Sequence, residues 1–273
     1  MVIETRQGVF EAPNWAPDAK SLLINENGRF WRIPLQDPLA GGARVPVDTG
    51  DAHGCWGEHG YSPDGKWVAI SCHGPGATQP DVYVIPAEGG AARRVSQQPV
   101  SYFRGWSPDG KTILFASKRD GHTEIYAIPS AGGAETRLTS TGGWNDGAEY
   151  TPDGKHIYFN SDRSGSMQLW RMRPDGSDLK QITHDDHENW YPHIAPDGKM
   201  LVFLSYEKGV IGHAENKDVS LRLLNLADGK IETLVELTGG QGSLDSPSWS
   251  PDGKSLGFVS YQFLPAAEAG PGQ

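Results

Sequence analysis

Three residues have side chains suited to acid–base or anion chemistry: His59, Arg104 and His193. A histidine titrates near neutrality and serves as a general base, so His59 or His193 could take a proton. Arg104 could hold a substrate carboxylate through a bidentate contact. The segment DDHENWYPH sets His187 and His193 six residues apart. With His53 and His59 these are the candidate ligands for a divalent metal ion, although H-x5-H is not an established zinc spacing. Glu11, Asp146, Asn189 and Asp245 add carboxylates and an amide, and His213 and Lys217 lie in one unusually long loop. Together with His59, Arg104 and His193 they form the candidate ligand-binding set.

All of these residues interrupt a repeat. The segments NWAPDAKSLLI, GYSPDGKWVAI, GWSPDGKTILF, EYTPDGKHIYF, HIAPDGKMLVF and SWSPDGKSLGF have prolines at positions 17, 63, 108, 152, 196 and 251. The intervals are 46, 45, 44, 44 and 55 residues. Each copy reads as four strands: one ending at Pro-Asp-Gly, an alternating strand after it, a third such as EIYAIP, and a short fourth after a Gly-rich turn. Four strands per 44-residue unit predict an all-β fold, a six-bladed β-propeller in one domain spanning residues 1–273. VIET is expected as the fourth strand of the last blade, closing the ring. The six repeated aspartates read as turn caps rather than calcium ligands. Ala19, in place of the glycine of the other copies, predicts a somewhat different first turn.

The topology sorts the loops. The Pro-Asp-Gly turns and Gly-rich turns share one face. The loops between second and third strands, and the connections into each new blade, share the other. The irregular polar residues fall on that second face and are expected to ring a channel mouth. The 11 extra residues of the long interval map mainly to YEKGVIGHAENKDV, expected to fold over the mouth as a partial lid.

The W-S-P-D-G-K core closely resembles the TolB-type propeller repeat, six times over and across essentially the whole chain. TolB itself is periplasmic and carries an N-terminal α/β domain ahead of its propeller. Neither that domain nor an export signal is read here, so the resemblance is to stand-alone TolB-like proteins. Propellers of prolyl-oligopeptidase-like peptidases share the repeat, but their hydrolase domain and G-x-S-x-G elbow have no counterpart in this sequence. Oligogalacturonate lyase, a metal-bearing propeller enzyme, is similar in architecture.

The net charge of −10 and the lack of any Lys/Arg run argue against nucleic acid as a partner, and no apolar stretch is long enough for membrane insertion. Without a basic, apolar leader the expected location is cytoplasmic, or periplasmic if a signal peptide has been removed. Cys55 and Cys72 flank a strand pair and could be close in space, so a disulfide is possible but not required. Two functions compete. One is a binding scaffold for a small molecule, glycan or protein segment at the channel mouth. The other is a metal-assisted lyase or hydrolase acting on an acidic sugar.

Overall fold

The computed structural model describes residues 10–35 and 44–262. Its first blade is β1 (Phe10–Trp15), β2 (Ser21–Glu26), β3 (Arg29–Pro34) and β4 (Val45–Pro46). The second is β5 (His59–Tyr61), β6 (Trp67–His73), β7 (Pro80–Pro86) and β8 (Arg93–Arg94). The third is β9 (Ser101–Trp106), β10 (Thr112–Arg119), β11 (His122–Pro129) and β12 (Thr136–Arg137). The fourth is β13 (Asn145–Tyr150), β14 (Ile157–Ser161), β15 (Gln168–Met172) and β16 (Lys180–Gln181). The fifth is β17 (Glu188–Ile194), β18 (Met200–Tyr206), β19 (Lys217–Asn225) and β20 (Ile231–Gly239). Each sheet is an antiparallel meander in sequence order, and the described residues contain no helix.

Strand alternation explains the packing. Along β10, Ile113 and Phe115 face the second blade and join Ala69, Val82 and Val84, while Leu114 faces the fourth and joins Ile157 and Phe159. The core is therefore a series of layers between neighbouring blades rather than one central mass. Aromatic residues before the turns tie blades together by a second means: Trp106 Nε1 donates to Gly60 O at 3.0 Å, and Trp249 Nε1 to His193 O at 3.0 Å.

The Pro-Asp-Gly turns are satisfied internally. In the second blade Asp64 Oδ1 accepts from Ser62 Oγ at 2.6 Å and from Lys66 N at 3.1 Å, while Gly65 takes φ 70°. The same aspartate-to-lysine contact recurs in all six copies, which accounts for the six carboxylates. The first turn is not different, contrary to expectation: Ala19 adopts φ 57°, so the shared turn geometry is imposed on a residue with a Cβ.

The expectation of six blades is corrected: the described residues form five four-stranded blades. The sixth copy makes only an isolated bridge between Trp249 and Leu256. Its chain does not extend into a second full strand, because Val259 N bonds back to Ser243 O and Tyr261 N reaches across to Thr238 O, at the end of β20. This segment joins the fifth blade to the first: Ala12 N donates to Gly242 O at 2.7 Å and Asn14 Nδ2 to Pro247 O at 2.7 Å. The expected closing strand VIET and the last residues of the chain lie outside the described residues.

Cys55 and Cys72 form a disulfide. It pins the approach to β5, which is only three residues long where the other first strands have six or seven. Among the described residues, no helix is long and apolar enough to cross a membrane.

Candidate functional site

The first strands β1, β5, β9, β13 and β17 are neighbours around the axis. Four of them share an irregularity. In β1, β9, β13 and β17 the register against the second strand slips by one residue, between Glu11 and Asn14, around Arg104, between Asp146 and Glu149, and between Trp190 and His193. A bulge sets two residues opposite one and re-aims the side chains beside it. Three of these bulges carry a residue at positive φ: Ala12 at 53°, Gly147 at 59° and Tyr191 at 52°. That conformation is rare for an aromatic residue and is held by its surroundings.

The result is a polar cluster at the axis with one contribution from nearly every repeat. Arg104, from β9, is its hub. Its Nε lies 2.5 Å from Asp146 Oδ1, and its Nη1 lies 3.5 Å from Glu58 Oε1; all three side chains are 4% exposed. The guanidinium stands 5.4 Å from the Tyr191 ring centroid and 6.0 Å from that of Tyr102. Asp146 is held by Gly147 N at 2.9 Å and Trp144 Nε1 at 3.3 Å. Asp245, from the linking segment, accepts Gly242 N on Oδ2 at 2.9 Å. Glu11 packs between Gly57 and Gly242.

Several buried atoms in this cluster have no hydrogen-bond partner among the described residues: Glu58 Oε2, Arg104 Nη1, Tyr191 OH and Asp245 Oδ1. Burial governs the titration. It raises Glu58 against the opposing pull of Arg104, and raises Asp245 well above the carboxylate range, with Glu58 adding to the effect. Burial, then Glu58 and Glu215, push Glu11 up to about 7. For Arg104, burial alone would lower the pKa, but Asp146 and Glu58 raise it, so the guanidinium stays charged.

The long loop covers part of this mouth. His213 packs edge-on against Trp144, Trp190 and Tyr191 at 5.5, 5.0 and 5.6 Å, and burial lowers its pKa. Tyr206 OH donates to Ala214 O at 3.2 Å, fastening the loop to its own blade. Lys217 opens β19 and is exposed.

The structure thus brings together Glu11, Arg104, Asp146, Asp245 and His213. It does not bring the other residues of the set to their expected roles. His59 is wholly buried, with Nδ1 2.6 Å from Gly57 O and Nε2 3.1 Å from Leu23 O, and burial holds its pKa down to about 4. His193 has Nδ1 2.7 Å from Glu149 Oε2 and Nε2 2.7 Å from Leu244 O. In both rings each nitrogen lies within hydrogen-bond distance of a protein oxygen, a main-chain carbonyl or the Glu149 carboxyl. Asn189 ties the fifth blade to the fourth, contacting Gln168 of β15, Thr183 and Asp185 after β16, and Ser205 of its own blade. His53 pairs with His73, and His187 lies beside Asp185, so the four candidate metal histidines do not converge. Among the described residues, no three His, Cys, Asp or Glu side chains are grouped to hold a metal.

Tyr191 was not among the candidates, whereas Glu58 is one of the irregular polar residues expected at the mouth. A sequence signal for the bulges does exist: proline inside a first strand, at Pro13 and Pro192, marks an interrupted ladder. A separate open cleft of about 540 Å³ lies on the Pro-Asp-Gly face between the second and third blades, lined by Trp67, Trp106, Arg93, Pro63 and Pro108.

A propeller of TolB-type repeats with a polar axial cluster defines the class, and the relatives agree with it. Residues 102–232 match the TolB beta propeller domain family. An uncharacterized protein of Agrobacterium fabrum is 45% identical over 257 residues, covering 93% of this chain and 85% of its own. The solved structure of a TolB-type protein from Agrobacterium tumefaciens is 43% identical with a TM-score of 0.91, covering 97% of this chain and 94% of that one. The chain belongs to the TolB-like β-propeller family. Oligogalacturonate lyase from Vibrio parahaemolyticus, at 14% identity and a TM-score of 0.59 over 92% of this chain and 72% of its own, shares the fold alone.

Proposed function

We propose that this protein is a binding module that takes a small polar ligand at the axial mouth around Arg104. The observation that carries this reading is the set of buried polar atoms without hydrogen-bond partners, Glu58 Oε2, Tyr191 OH and Asp245 Oδ1, contributed by different repeats. A buried polar group without a partner costs about 1–3 kcal/mol, so several at one place mark where a ligand or ordered water completes the bonding. The bulges at Arg104 and Tyr191, and the backbone strain at Tyr191, support the same reading. Binding is favoured over catalysis because the rings of His59 and His193, the candidate bases, are buried with each nitrogen against a protein oxygen. The Cys55–Cys72 disulfide favours an oxidising compartment over the cytoplasm.

Calorimetric titration with putrescine, glucosamine and galacturonate tests this function. Wild type is compared with Tyr191→Phe, which removes only an unpartnered hydroxyl, and with Trp67→Ala on the opposite face. Binding weakened by Tyr191→Phe and unaffected by Trp67→Ala is expected. No binding of any probe, or binding sensitive only to Trp67→Ala, would overturn the reading.

A further inference from the structure

The carboxyls of the axial cluster outnumber its cations. Asp146 and Glu58 already flank the Arg104 guanidinium on two sides, at 2.5 and 3.5 Å. Asp245 and Glu11 then add two more carboxyls with no further cation beside them: the burial-shifted groups acting on Asp245 are Glu58, Glu11 and Arg104, and those acting on Glu11 are Glu58 and Glu215. Four carboxyls therefore share one guanidinium. His213 adds no charge, since burial disfavours its protonated form. An incoming anion would find Arg104 already paired and would face the remaining carboxyls.

Resting on the binding reading above, we propose that the ligand's recognised group is a primary ammonium, the positive end of a small organic amine. Two of the unpartnered atoms, Glu58 Oε2 and Asp245 Oδ1, are carboxyl oxygens, and Tyr191 OH is a third acceptor. An ammonium brings three N–H donors, the complement of that set. Tyr191, Tyr206 and Tyr261 all lie within electrostatic reach of Asp245, and Trp144, Trp190 and His213 back Tyr191 on the loop side. Aromatic faces around a carboxylate suit an organic cation, through the ring quadrupole. A divalent metal fits less well, because the described residues offer no grouping of three metal-ligating side chains.

Calorimetric titration of the full chain with putrescine, tetramethylammonium, galacturonate and Mn²⁺ as separate probes tests the ammonium assignment. Asp245→Asn keeps an acceptor for Gly242 N while removing the charge, and a melting curve verifies that it folds. Putrescine is expected to bind wild type, to lose about tenfold in affinity in Asp245→Asn and about threefold in Tyr191→Phe, and to be unaffected by Trp67→Ala. Tetramethylammonium, which has no N–H to donate, is expected to bind at least tenfold more weakly than putrescine. Galacturonate binding that depends on Tyr191, with none from putrescine, would overturn the ammonium assignment and leave the axial site standing. Mn²⁺ binding that displaces putrescine competitively and is lost in Asp245→Asn would reassign the site to a metal. Failure of all four probes to show dependence on Tyr191 or Asp245 would overturn the site itself.

Discussion

Arg104→Met is the most informative single perturbation of the fold. The side chain is 4% exposed, as are those of Glu58 and Asp146. At an effective dielectric of about 20, contacts of 3.5 and 2.5 Å give attractions of about 5 and 7 kcal/mol before desolvation is subtracted. Desolvation removes several kcal/mol per ion, so the intact pairs contribute little net stability. Removing one partner is different, because the carboxyls stay buried without their cation. The expected loss is about 3–5 kcal/mol, a large part of a domain's typical margin. It is also expected to depend on pH. Arg104 lowers the pKa of both Glu58 and Asp245, which burial raises; without it both rise further. A carboxyl whose folded pKa lies above its unfolded value stabilises fully below the unfolded value, and that contribution is lost as pH rises. The deficit of the variant should therefore be larger at pH 8 than at pH 5. Urea denaturation of both proteins at the two pH values measures it. A loss below about 1 kcal/mol at both, or a larger loss at pH 5, would refute the account of Arg104 as the hub of a buried carboxyl cluster.

Three further outcomes follow from the structure. Ala19→Gly, which relieves φ 57° in the first turn, should stabilise by about 0.5–1 kcal/mol, read as a raised melting temperature. Glu11 is displaced from 4.5 to about 7, so its contribution is complete below pH 4.5 and lost as pH rises through 7; Glu11→Gln should match wild type near pH 4 and exceed it at pH 8 by on the order of 3 kcal/mol, measured by chemical denaturation. Replacing both cysteines by serine opens a link between residues 17 apart and should cost about 3 kcal/mol, and alkylation of unreduced cell extract should find Cys55 and Cys72 unreactive.

The repeat made most of the architecture legible, because Ser-Pro-Asp-Gly-Lys encodes a turn and the two strands around it. It does not encode how the last copy ends. After Trp249 and Leu256 the chain bonds back to Ser243 and Thr238, a choice made by tertiary contacts rather than by the motif. Departure from the repeat pointed to Arg104, Asp146 and Asp245: bulges lie at Arg104 and Asp146, and Asp245 lies in the segment that joins the fifth blade to the first. The same criterion selected His59, His193 and Asn189, whose partners are main-chain carbonyls and residues of their own or the next blade. Position along a strand gives the face of a side chain, not what satisfies it there. Tyr191 escaped notice because its role depends on a positive φ that no tyrosine signals, although Pro192 beside it marks the bulge.

The central claim, that the axial mouth rather than the opposite face receives the ligand, is tested most directly by a crystal structure of the protein grown with putrescine. The account predicts an ammonium nitrogen within hydrogen-bond distance of Asp245 Oδ1 and Tyr191 OH, beneath the loop that carries His213. Putrescine seated instead between Trp67 and Trp106, with the axial carboxyls bridged only by water, would contradict it.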